Sequence, residues 1–133
     1  MNYIADIFKL LSDETRIRIL MLLTRKELCV CQLMGVLGIS QPLVSRNLSL
    51  LSNAGFLDER RDGKLIFYSI RKNITPVLAK ILDILLDELR DDVTFRSDLD
   101  SLKDCAEFQK KTGKCDMKTF LKFMEKKRKK KRR

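Results

Sequence analysis

Four cysteines, Cys29, Cys31, Cys105 and Cys115, carry the most reactive side chains in this sequence. A thiolate is a soft donor that suits soft ions, and two thiols can instead close a disulfide. Cys29 and Cys31 are two residues apart. In an α-helix such residues point about 200° apart, whereas in extended chain they share a face. They can hold one ion only if the chain there is extended or the following helix is unwound at its start. A helix N-terminus would favour the thiolate form. The plainer reading is that both are small core residues, because cysteine is often buried. Cys105 lies on an apolar helical stripe, and Cys115 follows Gly113. In a straight helical hairpin turning at Gly113, Cys105 would face the region of residue 121, not Cys115. The two meet only if the helix ends early, near Phe108, or if they come from different subunits. Core packing, a shared ligand site and an oxidation-dependent disulfide all stay open for them.

The chain has no histidine. That removes imidazole bases and histidine-containing zinc sites. There is no Gly-rich phosphate loop, and neither a Ser–His nor a Cys–His pair can exist. The expectation is a protein without catalytic residues, catalytic cofactor or small-molecule substrate.

Elements that could position the cysteines follow from periodicity. Residues 3–11 carry Ile4, Ile7, Phe8 and Leu11 at helical spacing, and Ser12 is placed to cap a second helix over 13–24. A break at 24–27 leads into a third short helix over 28–37, closed by Gly38. Ser40 can cap a fourth, with Pro42 in its first turn, where a missing N–H costs nothing. Val44, Leu48 and Leu51 form its apolar stripe; Gln41, Ser45, Arg46 and Ser49 lie opposite. An outer face of Gln, Ser, Arg and Ser without carboxylates can read base edges and touch phosphates, although a solvated surface would look similar. Gly55 reads as a left-handed cap that returns Phe56 to the core.

Residues 57–70 change period. Asp62-Gly63 is a two-residue hairpin signal between two strand-like runs, with Arg60, Arg61 and Lys64 at its tip. Helices, a helix-turn-helix and a basic hairpin in this order make a winged helix, mainly α with a β-hairpin wing (α+β). Thr75-Pro76 opens a fifth helix, apolar on more than one face. Val77, Leu78, Ile81, Leu82, Leu85 and Leu89 are therefore expected at a homodimer interface, which would also set two DNA half-sites about one turn apart; the plainer alternative is a central helix buried within the monomer. Ser97 can cap a sixth helix carrying Leu99, Leu102, Cys105 and Phe108, packed on the dimer helices. Asp116 can cap a seventh with Met117, Phe120, Leu121 and Met124. The expected division is a DNA-binding and dimerisation domain over 1–92, a helical extension over 93–125 and a basic, disordered tail over 126–133.

The net charge of +10 belongs to that tail: residues 126–133 hold eight of the 28 basic side chains, leaving 20 against 18 acidic ones in a nearly neutral body. Such a tail adds salt-dependent, sequence-independent affinity for polyanions. No apolar run approaches the ~20 residues of a membrane span, and the first residues lack a basic-then-apolar leader, so a cytoplasmic protein without membrane contact is expected.

Two segments resemble the ArsR/SmtB family of metal- and metalloid-responsive winged-helix repressors. One is Phe8-Lys-Leu-Leu-Ser-Asp-Glu-Thr-Arg-Ile-Arg-Ile-Leu. The other runs from Glu27-Leu-Cys-Val-Cys through Gln41-Pro-Leu-Val-Ser-Arg-Asn-Leu-Ser-Leu-Leu to the wing, so the likeness covers about residues 4–72. It implies a homodimer on double-stranded operator DNA, with Gln41, Ser45 and Arg46 facing the DNA. The full set of expected DNA contacts is Gln41, Pro42, Ser45, Arg46, Asn47 and Ser49 on the reading helix and Arg60, Arg61 and Lys64 on the wing. Asn47 stands where many members have histidine. Glu-Leu-Cys-Val-Cys looks like the arsenite-sensing branch, which implies Cys29 and Cys31 as ligands of As(III) or Sb(III). There a third cysteine follows three residues later; here that position is Met34, whose thioether is a poor substitute. Cys105 or Cys115 would then supply the missing thiolate. The reading is a metalloid-released repressor. Its rivals are a thiol/disulfide redox-sensing repressor and, more distantly, a basic RNA-associated protein.

Overall fold

In the computed structural model, which describes residues 1–112 together with Lys122, Glu125 and Lys126, helices α1 (Asn2–Leu10) and α2 (Glu14–Leu23) lead into a short strand β1 (Leu28–Cys29). Then come α3 (Val30–Leu37), α4 (Gln41–Asn53), the hairpin β2 (Leu57–Asp62) and β3 (Leu65–Ile70), α5 (Pro76–Leu89) and α6 (Val93–Thr112). The expected winged helix-turn-helix, mainly α with a β-hairpin, is what forms. Cys115, Gly113, the seventh helix proposed from Asp116 and tail residues 127–133 lie outside the described residues.

α2 is the central helix. Ile19, Leu20, Met21, Leu22 and Leu23 are all buried, so its C-terminal half is apolar all round and must be covered on every side. Leu33 and Val36 of α3, Val44, Leu48 and Leu51 of α4, Phe56 and Leu78 complete the inner core. The cap of α2 is Asp13, whose side chain accepts from the Arg16 backbone N–H at 3.1 Å; Ser12 instead donates to the Lys9 carbonyl at 2.7 Å. The expected Ser12 cap is corrected by one residue.

α3 and α4 are joined by Gly38, held at φ 68, a left-handed conformation that glycine adopts without strain. Ser40 occupies the N-cap of α4 with no side-chain hydrogen bond to the first turn. At the far end, Gly55 has φ 97, its N–H reaches Ser52 O at 3.1 Å and Phe56 N–H reaches Leu51 O at 3.1 Å. That is the two-bond Schellman pattern, and it delivers Phe56 into the core.

The sheet has strand order β1-β3-β2 and is antiparallel throughout. Leu57 pairs with Ile70 and Asp62 with Leu65, so the hairpin loop is Gly63-Lys64, one residue later than the Asp62-Gly63 turn expected. Positive φ falls on Gly63 alone (φ 62), which suits the first central position of a two-residue loop. β1 was not expected. Leu28 pairs with Tyr68 and Cys29 with Phe67, which ties the start of α3 to the base of the wing.

α5 departs from expectation in one respect. Leu78 and Leu82 are buried in the chain's own core, so they are not free to face another subunit. α6 begins at Val93, not near Ser97, because the Asp92 carboxylate accepts the Phe95 N–H at 3.0 Å and caps it. It packs chiefly on α3 and α2, and Phe95, Asp98, Ser101 and Cys105 are buried. Lys126, the first residue of the basic run, stands over the Phe108 ring at 5.9 Å.

Candidate nucleic-acid interface and cysteine centre

α4 presents its outer side as sequence periodicity requires. Gln41, Pro42, Arg46 and Ser49 are exposed and Ser45 is half-buried. Arg46 makes no ion pair among the described residues, so its guanidinium is available to a phosphate or a base edge. Asn47 is a correction. It is 3% exposed and its Oδ1 accepts from Arg16 Nη1 at 3.3 Å. It completes the inward stripe of Val44, Leu48 and Leu51 at helical spacing, and so cannot be a base contact in this arrangement.

The wing divides its basic residues. Arg61 and Lys64 are exposed around the loop. Arg60 is not at the tip. Its Nη2 lies 2.6 Å from Glu27 Oε1, its guanidinium is 4.8 Å from the centre of the Phe67 ring, and Asp62 is 3.8 Å away. The hydrogen bond from Arg60 holds the Glu27 carboxyl below its ordinary pKa, and the same contact raises that of Arg60. Arg60 thus braces the wing against the loop before β1, leaving Arg61 and Lys64 as the cations free to reach DNA backbone.

Cys29 is the N-cap of α3 in extended conformation (φ −95, ψ 171), and Cys31 is the second residue of the helix. The chain therefore changes from strand to helix between them, which meets the requirement that two cysteines so spaced not share a regular helix. Both are buried, at 1% and 7% exposure. Met34 packs in the same core one turn on. Cys105, 1% exposed on α6, belongs to that same buried cluster. Gln32 connects the two helices: its Oε1 accepts the Cys29 N–H at 2.9 Å and its Nε2 donates to Gln109 Oε1 at 2.9 Å. A backbone N–H can only donate, so the orientation of the Gln32 amide is fixed by Cys29. Gln109 is one turn beyond Cys105, which places Cys105 on the side of α6 that faces α3. Among the described residues, no group of three or more His, Cys, Asp or Glu side chains is placed to hold a metal ion. Cys29, Cys31 and Cys105 share one buried core.

Sequence reasoning passed over Arg16, Gln32, Asp98 and Gln109. A signal was present for Gln32, the one polar side chain in the apolar run of α3, since a polar group on a fully covered helix requires partners. Asp98 had none, because its partner Arg18 is 80 residues away, with Arg18 Nε–Oδ2 at 2.9 Å and Nη2–Oδ1 at 2.8 Å.

Large apolar side chains are exposed at Tyr3, Ile4 and Phe8 of α1 and at Val77 and Ile84 of α5, as well as at Leu43 and Leu50 of α4 and Val93 of α6. Ile81, Leu85 and Leu89 are half-buried. A groove of about 510 Å³ runs between α2, α5 and α6, with Leu11, Ile17, Met21, Leu85, Leu89 and Phe95 among its lining residues. No described helix is long and apolar enough to cross a membrane.

Comparison with known proteins gives the same picture. Residues 13–59, from the cap of α2 into β2, match the family described as "Bacterial regulatory protein, arsR family". The chain is 46% identical over 79 residues to the arsenical resistance operon repressor of Escherichia coli (strain K12), covering 59% of this chain and 68% of that protein. It is 41% identical over 68 residues to a cadmium resistance transcriptional regulatory protein, the CadC homolog of Staphylococcus aureus, covering 50% of this chain and 56% of that one. Among solved structures, the transcriptional repressor BigR from Xylella fastidiosa superposes with a TM-score of 0.59 at 28% identity, over 69% of this chain and 88% of that one. With the reading helix, the wing and this identity in agreement, the chain belongs to the arsR family: it is a winged helix-turn-helix transcriptional repressor, not an enzyme.

Proposed function

We propose that this repressor acts as a homodimer that leaves its operator when a soft trivalent metalloid, As(III) or Sb(III), is captured by cysteine thiolates. The observation that carries the reading is the placement of Cys29 and Cys31 across the strand-to-helix turn of α3, in one buried cluster with Cys105. The donor set fits the ligand: sulfur atoms, sheltered from water, without a competing histidine. Three thiolates make a pyramidal site, which Cys29, Cys31 and Cys105 would complete in place of the thioether at Met34. Ligation of one ion by all three would tie the start of α3 to α6 and shift α3. α3 ends at Gly38, three residues before α4 begins. A shift of α3 therefore tilts the reading helix, and two half-sites held at fixed spacing cease to fit together.

On DNA, Gln41, Ser45, Arg46 and Ser49 enter the major groove with Pro42 at the entrance, while Arg61 and Lys64 reach the backbone from the wing. Val77, Ile81, Ile84 and Leu85 of α5, together with Tyr3, Ile4 and Phe8 of α1, form the surface buried between subunits.

X-ray absorption at the arsenic edge tests the ligand set. The wild-type protein loaded with arsenite under reductant should show three sulfur neighbours, and Cys105→Ser should show two. Three sulfurs in Cys105→Ser would assign the third position elsewhere, with Cys115→Ser as the next variant. A cadmium regulator among the relatives favours one second reading, a soft divalent ion on the same thiolates. Release by Cd(II) at concentrations where arsenite has no effect would select it.

A further inference from the structure

α4 is held from behind by a polar bridge. Asn47 is the single polar residue among its buried positions, with Val44, Leu48 and Leu51 around it. Its Oδ1 accepts from Arg16 Nη1 at 3.3 Å. A guanidinium has donors only, so the amide oxygen must face it. Through Nε the same guanidinium donates to the carbonyl of Leu10, the last residue of α1. Its Nη1 is also 3.9 Å from Asp13 Oδ2, on the residue that caps α2. One planar fork thus joins the exit of α1, the cap of α2 and the inner face of α4. Among the described residues, no other side-chain hydrogen bond ties α4 to another helix.

Apolar packing sets how deeply α4 is buried, but it is non-directional and lets a helix rotate or slide. Hydrogen bonds are directional. We propose that Arg16 and Asn47 are positioning residues for DNA recognition: the Leu10–Arg16–Asn47 bridge fixes the angle at which α4 presents Gln41, Ser45, Arg46 and Ser49. Neither residue touches DNA. Base-edge hydrogen bonds weaken with misalignment, so releasing the bridge degrades every contact of the helix together. The inference rests on the DNA-binding role of α4 and is independent of the metalloid.

The test uses the full chain and a duplex that the wild type enriches from a random library. Binding is followed by fluorescence anisotropy for wild type, Arg16→Lys, Asn47→Ala and the double variant, with Tm measured for each. Lysine keeps the charge, but one nitrogen cannot span both acceptors as the fork does. Each single variant should bind about tenfold more weakly. The double variant should be no worse than the weaker single, because both break one bridge. The dependence of log Kd on log salt should keep its slope, since no phosphate contact is removed. The loss should be spread evenly over single-base-pair variants of the duplex.

A loss confined to one base pair would overturn the proposal and make Asn47 a base reader. Additive losses would deny the shared bridge, and unchanged affinity with a lowered Tm would reduce it to a packing contact. If Asn47→Ala does not fold, a folded Arg16→Lys with wild-type affinity is enough to overturn it. A wild type that enriches no duplex would overturn the reading of α4 itself, which is a different failure.

Discussion

Arg18 and Asp98 hold α6 to the centre of the molecule. The Asp98 side chain is 5% exposed and that of Arg18 is 27%, and their two-point contact raises the Arg18 pKa above its ordinary value, with the hydrogen bond to Asp98 as the leading cause. Removing one partner strands a buried charge, which costs more than the pair contributes. Arg18→Ala should therefore destabilise the fold by about 2–4 kcal/mol in urea unfolding, while joint replacement by Met and Leu should recover most of the loss. Glu27 offers a pH-dependent counterpart. Its folded-state pKa is lowered by Arg60, so its contribution is present above the ordinary glutamate range and fades as pH falls through the lowered value. Acid unfolding of Arg60→Met should accordingly differ from wild type less at low pH than at neutrality; a difference independent of pH would refute the link. Residue roles were unevenly legible in the sequence. The outward set of α4 follows from periodicity, and so does the inward side of Asn47, three residues after Val44 on the same stripe. The bracing role of Arg60 is not legible locally, because no neighbouring pattern announces a partner 33 residues earlier.

At the level of elements, the helix-turn-helix and wing were legible because each boundary has a local chemical marker: Gly38 and Gly55 at helix ends, Gly63 at the loop. β1 was not, because two residues become a strand only through pairing with Tyr68 and Phe67, and such pairing leaves no trace in a window of neighbours. The start of α6 was misread because Asp92 and Ser97 are both competent caps, and the choice depends on where the chain leaves α5. α6 proves to be a lid on α3 rather than an appendage, clasped by Gln32 and Gln109. Loss of the clasp should loosen it. Gln109→Met should raise the rate of Cys105 alkylation by N-ethylmaleimide several-fold relative to wild type, whereas Gln109→Glu, which keeps an acceptor for Gln32 Nε2, should not. Equal rates in all three proteins would show that packing alone holds α6 in place.

At the scale of the whole molecule, α1 and α5 leave several large apolar residues uncovered. Phe8 is 64% exposed and Ile84 is 61% exposed, a degree of exposure that a homodimer would remove. Phe8→Glu or Ile84→Glu should yield a folded monomer by sedimentation, with DNA affinity reduced to that of a single half-site; a stable dimer in both variants would place the interface elsewhere. Surplus apolar surface on α5 was visible in the sequence, but its division was not. Leu78 and Leu82 are spent on the internal core, and only the three-dimensional packing decides which apolar face turns inward. The central claim joins these scales: an ion bound at the start of α3 releases DNA from α4. It is tested most directly by titrating arsenite, under reductant, into the wild-type protein bound to its selected duplex and repeating the titration with Cys29→Ser and Cys31→Ser. The account predicts dissociation of the wild type and persistence of both variants on DNA. Dissociation of both variants at the wild-type arsenite concentration would contradict it.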